Sequence, residues 1–82
     1  MQVQAIQEPV DVIAAFRGGR CRPVRFTWAR RELNVDQLNA HWVDRGGRHD
    51  ALHYSVQSGE ETYYLRFDCH EVRWWLERVI TE

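Results

Sequence analysis

Hydrophobic and polar positions alternate through the C-terminal part of the chain. In 61–68, ETYYLRFD, every second side chain from Tyr63 is a large apolar one, and the alternation resumes in 72–77, VRWWLE. A period of two is typical of strands, because successive side chains point to opposite faces of a sheet. A two-residue loop would join these strands with every inward pair apolar. The loop is Cys69-His70, and the pairs are Phe67 with Val72, Leu65 with Trp74, and Tyr63 with Leu76.

The preceding stretch, HYSVQSGEETYY, continues the apolar face into another strand. Its reversal falls at Gly59-Glu60, and glycine at the first loop position suits a type II′ hairpin turn. The predicted inward pairs are Leu52 with Phe67, Tyr54 with Leu65, and Val56 with Tyr63.

The N-terminal segment 8–35 predicts two further hairpins. A three-residue loop at 18–20 gives the pairs Ala14 with Val24, Val12 with Phe26, and Val10 with Trp28. Pro23 then falls on the outer face, at an edge or at the start of a strand, because it lacks an N–H. A turn at Ala29-Arg30 places Phe26 against Leu33 and Val24 against Val35.

The apolar alternation changes phase in Asp36 to Arg45, DQLNAHWVDR. Either a strand carries a bulge here, which the pattern favours, or Asp36 caps one short helical turn. Loop-forming residues dominate 45–50, RGGRHD. The sequence therefore predicts an all-β fold in a single domain, 1–82, with six antiparallel strands in an up-and-down meander. A flat sheet would leave its apolar face in water, so we expect a small roll or partly open barrel with a corner near residue 37.

Composition narrows the class of function. The net charge of −1 argues against strong general attraction to nucleic acid, and all eleven cationic side chains are arginine. We expect a cytoplasmic protein without a membrane segment, because no signal-peptide pattern or long apolar run is present. Cys21 and Cys69 are then expected to be reduced thiols.

Motifs for chemistry are weak. His49 and His53 have a spacing that suits metal ligation on a helix, but they lie in a predicted loop and strand. The adjacent Cys69-His70 lacks a third group to orient a nucleophile, and the paired glycines match no phosphate-binding loop. We therefore expect no metal, no cofactor, no small-molecule substrate and no enzymatic activity.

The outer face of the last three strands is the candidate binding surface. The predicted register places His53 beside Arg66 and Arg73, and it places Tyr64 beside Trp75. Such rings and guanidinium groups can anchor a protein interface or stack on nucleic-acid bases. The alternative is that these side chains only stabilise the sheet, or lie covered by the N-terminal segment MQVQAIQ or by the corner of the roll.

Aromatic and turn positions between Arg20 and Ile80 resemble a family of small uncharacterised bacterial β-domains. The resemblance is carried by Pro23, Phe26, Trp28, Arg31, Val35, Trp42, Tyr54, Val56, Gly59, Tyr63, Leu65, Asp68, Trp74, Trp75, Leu76, Glu77 and Arg78. A related domain is the C-terminal extension of the Y-family-polymerase-like subunit of the mutasome. The resemblance implies a small accessory domain, with a link to DNA repair, and it implies no catalytic residues.

Two hypotheses of function follow. The first is a binding or adaptor domain that contacts a protein partner, a second copy of itself or a nucleic acid through His53, Tyr64, Arg66, Arg73 and Trp75. The second is an obligate homo-oligomer that completes its sheet across a dimer interface.

Overall fold

The computed structural model describes residues 1–47 and 49–82 and shows an all-β chain. Its strands are β1 (Gln2–Arg17), β2 (Arg20–Trp28), β3 (Arg31–Asn34), β4 (Gln37–Asp44), β5 (Ala51–Ser58), β6 (Glu61–Asp68) and β7 (Arg73–Thr81). They form one antiparallel sheet in the order β3-β2-β1-β7-β6-β5-β4, curled into a half-barrel. The predicted fold class is confirmed, with seven strands rather than six. Of the predicted loop 45–50, Arg48 lies outside the described residues.

The first and last strands of the chain pair at the centre of the sheet. β1 runs antiparallel to β7, with Val10 opposite Trp74 and Gln2 opposite Thr81. The segment MQVQAIQ, considered above as a cover over the outer face, instead extends the sheet at the side of β7. It does not bury the candidate binding surface.

Two residues join the opposite edges of the sheet. β3 and β4 are edge strands, and the link between them is Val35-Asp36. Val35 N–H donates to the carbonyl of Val24 at 2.9 Å, and Asp36 N–H donates to the carbonyl of Gln57 at 2.8 Å. The Asp36 carboxylate also accepts from Gly59 N–H at 2.7 Å. The expected corner is thus confirmed, and it closes one end of the half-barrel.

The favoured bulged strand after this corner is also confirmed. β4 pairs with β5, and the register shifts between Leu38 and Ala40, which leaves Asn39 as the extra residue. The bulge explains why the apolar phase changes along this segment.

The predicted register of the last hairpin is wrong by two residues as far as Leu76, and by three residues beyond the bulge that follows it. Phe67 pairs with Trp74, Leu65 with Leu76, and Tyr63 with Val79. The loop therefore holds four residues, 69–72, and Val72 is exposed at φ 55°. The cause is Asp68, whose Oδ1 accepts from the N–H groups of His70 at 2.9 Å and Glu71 at 2.8 Å. A shift of two preserves the faces, so the inward sets remain as predicted apart from Val72.

Two deviations cancel in the first hairpin. Its loop is the two-residue Gly18-Gly19, with φ of 58° and 77° as a type I′ turn requires, rather than three residues. A bulge in β2 then adds Val24 as the extra residue, so Val12 still pairs with Phe26 while Ala14 pairs with Pro23. Pro23 is consequently buried, against the prediction, and Val24 is exposed.

The remaining hairpin predictions hold. The β5–β6 register is confirmed at all three predicted pairs, with Gly59 at φ 60°. Phe26 also pairs with Leu33, through a turn at Ala29-Arg30.

The core lies inside the curl of the sheet. Val56, Leu65 and Leu76 are fully buried, and Tyr63 packs edge-on against Phe26 with ring centroids 5.1 Å apart. Phe26, Tyr54 and Val79 complete the buried cluster. In the parts of the chain that the structure describes, there is no helix long and apolar enough to cross a membrane.

Candidate outer-face binding surface

The predicted site residues lie together on the convex face of β5, β6 and β7. Trp75 is opposite Arg66, which is opposite His53. The predicted rows differ from this, because the two-residue shift in the last hairpin moves Trp75 from Tyr64 to Arg66. The neighbouring strand β4 adds Trp42 opposite His53. We call this row, with its flanking groups, the outer ladder: Trp42, His53, Tyr64, Arg66, Arg73, Trp75, Glu77 and Arg78.

Trp75 is the central ring of the outer ladder. It is half-buried, with the guanidinium carbon of Arg66 at 5.4 Å from its ring centroid and that of Arg73 at 5.9 Å. Its indole Nε1 is buried without a hydrogen-bond partner among the described residues. The ring is therefore held by cation–π contacts and packing rather than by its polar atom.

Glu77 contacts two other members of the outer ladder. Its carboxylate lies 3.3 Å from His53 Nδ1 and 3.3 Å from Arg66 Nε. The β6–β7 register shifts beside it, because Tyr64 pairs with Arg78 and Leu65 with Leu76, so Glu77 is the extra residue of a bulge. Bulges re-aim side chains, and this one directs the carboxylate between a histidine and an arginine on neighbouring strands.

The side chains in this network are sheltered. His53 is 13 % exposed, Arg66 23 % and Glu77 22 %. A second carboxylate, Asp68 Oδ2, lies 3.6 Å from Arg66 Nη1. Shelter and multiple partners fix these groups in one arrangement, which a single exposed ion pair does not achieve.

The two ends of the ladder carry further rings. Arg78 lies over Tyr64, with 4.0 Å between the guanidinium carbon and the ring centroid. Trp42 stacks on His53 at 5.2 Å with an interplanar angle of 3°, and it remains 44 % exposed. Trp42, Glu77 and Arg78 were not among the predicted site residues. Trp42 carried a signal, an aromatic beside a bulged segment, but the phase change hid which face it occupies.

Asp68 predicts a response of stability to acid. The Glu71 N–H, and then the His70 N–H and the Arg66 charge, lower the pKa of this carboxyl below its ordinary value of 3.8. A group with a lowered pKa in the folded state stabilises the fold above its unfolded pKa, and this contribution is lost as pH falls through the folded pKa. We expect the melting temperature to fall between pH 5 and pH 2, roughly the window set by carboxylate titration.

The matched variant isolates this carboxyl. Asp68→Asn should melt lower than the wild type at pH 6 and should show a smaller further drop on acidification. Asp11→Asn on β1, which is exposed, should follow the wild-type curve. Melting temperatures are measured by circular dichroism. If those of the wild type and Asp68→Asn fell in parallel with pH, Asp68 would not be the cause of the loss of stability in acid.

The histidines and cysteines within 1–47 and 49–82 form no candidate metal site. The rings of His49 and His70 stack at 3.9 Å, but no group of three or more His, Cys, Asp or Glu is placed to hold a metal ion in this part of the chain. Cys21 and Cys69 are free, and burial raises the pKa of the Cys21 thiol. A raised pKa disfavours the nucleophilic thiolate.

The chain matches no protein-family model, no curated protein and no solved structure. The resemblance of 20–80 to the small bacterial β-domains stays a prediction.

Proposed function

We propose that this chain is a non-enzymatic binding domain that presents the outer ladder to a protein partner. The observation that carries the proposal is the convergence of tryptophan, tyrosine and arginine from β4, β6 and β7 on one convex face, with His53 of β5 between them. These three residue types dominate the binding energy of protein interfaces. Because Glu77 already fixes His53 and Arg66, little side-chain freedom remains to be lost when a partner binds.

The contact points of the partner are the exposed members of the ladder. Trp42 offers an open ring at one end, while Arg73 and Arg78 are exposed at the other. The sheltered members between them act as a rigid support. An aromatic anchor at one end and cations at the other fit a partner surface with an apolar pocket and a carboxylate.

A protein fits this face better than a nucleic acid does. Base stacking needs open ring faces, but Arg66 and Arg73 lie over Trp75, and Arg78 lies over Tyr64. The carboxylates of Glu77 and Asp68 neutralise part of the positive charge on the same face. A phosphate backbone would meet these carboxylates at the centre of the site.

The homo-oligomer hypothesis is less favoured by the fold. The sheet curls over its own apolar face, and its largest core residues are buried within one chain. A second copy is therefore not required to complete the core. The resemblance to the small bacterial β-domains adds DNA-repair proteins as a class in which the partner can be sought.

Site-specific photo-crosslinking tests the proposal directly. A photoreactive phenylalanine analogue at position 42 should crosslink a partner protein in cells, and the same probe at the exposed position 24 on β2 should not. Adding Arg73→Glu should abolish the crosslink, because it places a carboxylate beside Trp75 and Asp68. Arg30→Glu, an exposed charge reversal in the β2–β3 turn, is the matched control and should leave the crosslink intact.

Three outcomes would overturn the proposal. Equal crosslinking from positions 42 and 24 would show nonspecific contact. A crosslinked dimer of this chain, with no other protein, would favour the oligomer. Crosslinking to a single-stranded oligonucleotide that Arg73→Glu abolishes would favour nucleic acid.

A further inference from the structure

A cleft separates the two edges of the half-barrel on the side away from the Val35-Asp36 link. β4 pairs with β5 on one side only, so its other edge is free. Residues 20–23 of β2 pair with β1 alone, because the β2–β3 ladder begins at Arg25. The space between these edges is a cavity of about 720 Å³. It is an opening into the inner face of the sheet and is distinct from the outer ladder.

The floor and one wall of the cleft are mainly apolar, and the exception is His41 of β4, which stacks on Tyr54. They are formed by Leu38 and Val43 of β4 and by Leu52 and Tyr54 of β5. The Tyr54 hydroxyl donates to the carbonyl of Cys21 at 2.5 Å and so spans the cleft from β5 to the free edge of β2. This bond holds the two walls at a fixed separation. The apolar side chains beside it, with Val43 44 % exposed, stay open to an incoming group.

The other wall carries positive charge. Arg17, Arg20 and Arg22 line the cleft, all three are exposed, and the described lining residues include no carboxylate. Arg17 lies directly opposite Arg20 across the type I′ hairpin. Like charges in directly opposed positions destabilise a hairpin, and no ion pair with the described residues relieves them. The wall is therefore complementary to an anionic ligand.

We propose that the cleft binds an extended peptide segment of a partner protein in which carboxylates alternate with apolar side chains. The segment adds to the free edge of β4 as a strand, with backbone hydrogen bonds supplying affinity. Its alternate apolar side chains enter the cleft toward Leu52 and Tyr54. Its carboxylates meet the arginines of the β1–β2 hairpin.

An extended peptide strand fits the cleft better than a second copy of this chain does. Exposed edges present unpaired N–H and C=O groups along their length, and an extended peptide satisfies them in series. A second copy docking through the same hairpin would bring another Arg17, Arg20 and Arg22 against the first set. Charge repulsion therefore disfavours that self-association.

The test uses two synthetic peptides and the full chain. The fluorescently labelled peptide EVEVEVE should bind, measured by anisotropy, and KVKVKVK, with the same apolar residues, should bind at least about tenfold more weakly. In a Cys69→Ser background, the acidic peptide should also slow alkylation of Cys21, the remaining thiol, which lines the cleft.

Variants assign the binding to the cleft. Arg20→Glu and Val43→Asp should each weaken the acidic peptide by about tenfold or more, since both positions are exposed and line the cleft. Arg30 and Arg73 lie outside the cleft, so Arg30→Glu and Arg73→Glu should leave the affinity for the acidic peptide unchanged. This result would separate the cleft from the outer ladder. Circular dichroism of each variant confirms that the fold is retained.

The proposal would be overturned by equal binding of the acidic and basic peptides, or by binding without protection of Cys21. Absence of binding to both peptides at millimolar concentration would overturn it too. Protection of Cys21 on self-association, without peptide, would identify the cleft as an interface between copies.

Discussion

Replacing Leu65 by alanine should lower the free energy of unfolding by about 3–5 kcal/mol. Leu65 is fully buried on β6, between Tyr54 on one neighbouring strand and Leu76 on the other. The substitution removes buried apolar atoms and leaves a cavity at the centre of the curl. Native domains have total stabilities of roughly 5–15 kcal/mol, so this loss is a large fraction of the total and should lower the urea midpoint strongly.

The measurement is urea unfolding followed by circular dichroism. Phe16→Ala is the matched control, because it removes a larger side chain that is 75 % exposed, and it should change stability by no more than about 0.5 kcal/mol. If the two variants lost similar stability, the core would not lie where the buried cluster places it.

Strand identity and facing could be predicted because both depend only on a period of two. Tyr63, Leu65 and Trp74 face inward whether the last hairpin has a two-residue or a four-residue loop. The register could not be predicted in the same way. A shift of two residues leaves the faces unchanged, so the alternation of apolar and polar positions cannot detect it. The information that fixes it is the Asp68 carboxylate bonded to two N–H groups of the loop. Aspartate before a turn is a recognisable signal, but its effect on loop length depends on geometry.

Bulges account for most of the remaining differences between the predicted strand faces and those in the structure. Val24, Asn39 and Glu77 are each the extra residue of a bulge, and each reverses the inward and outward assignment on one side of itself. Pro23 was assigned to the wrong face for this reason. The pairing of β1 with β7 is a different case. The segment MQVQAIQ has weak alternation, and its partner lies some seventy residues later, so a local pattern carries no information about it.

Five of the eight residues of the outer ladder were predicted, but their arrangement was not. His53, Tyr64, Arg66, Arg73 and Trp75 do share one face, as alternation requires. Their contacts depend on the register of β7, so the sequence could not show that Arg66 and Arg73 lie near Trp75. Glu77 could not be recognised as the common partner of His53 and Arg66, because its position follows from a bulge.

Replacing Trp75 by alanine should cost about 2 kcal/mol of stability. The ring is half-buried, so it loses less than a fully buried tryptophan would, and the loss includes its contacts with Arg66 and Arg73. Melting should shift by roughly 8–16 °C, since a domain of 60–100 residues changes by about 4–8 °C per kcal/mol. Thermal unfolding by circular dichroism, with mass measured by light scattering, provides the readout.

Trp75→Phe is the matched control. It keeps an aromatic face for the two arginines and removes the buried Nε1–H that has no partner among the described residues. An unpaired buried donor is itself costly, so Phe should lose less than half of what Ala loses. A loss equal to that of Ala would mean that Nε1 makes a bond that stabilises the ladder.

Trp42→Ala separates stability from binding on the same face. Trp42 is at the edge of the sheet and 44 % exposed, so its removal should cost under about 1 kcal/mol. If the outer ladder is a binding surface, a partner identified from position 42 should lose most of its affinity for Trp42→Ala while the melting temperature barely changes. If affinity is unchanged while Trp75→Ala alone lowers stability, the ladder only reinforces the sheet, as cross-strand aromatic pairs do.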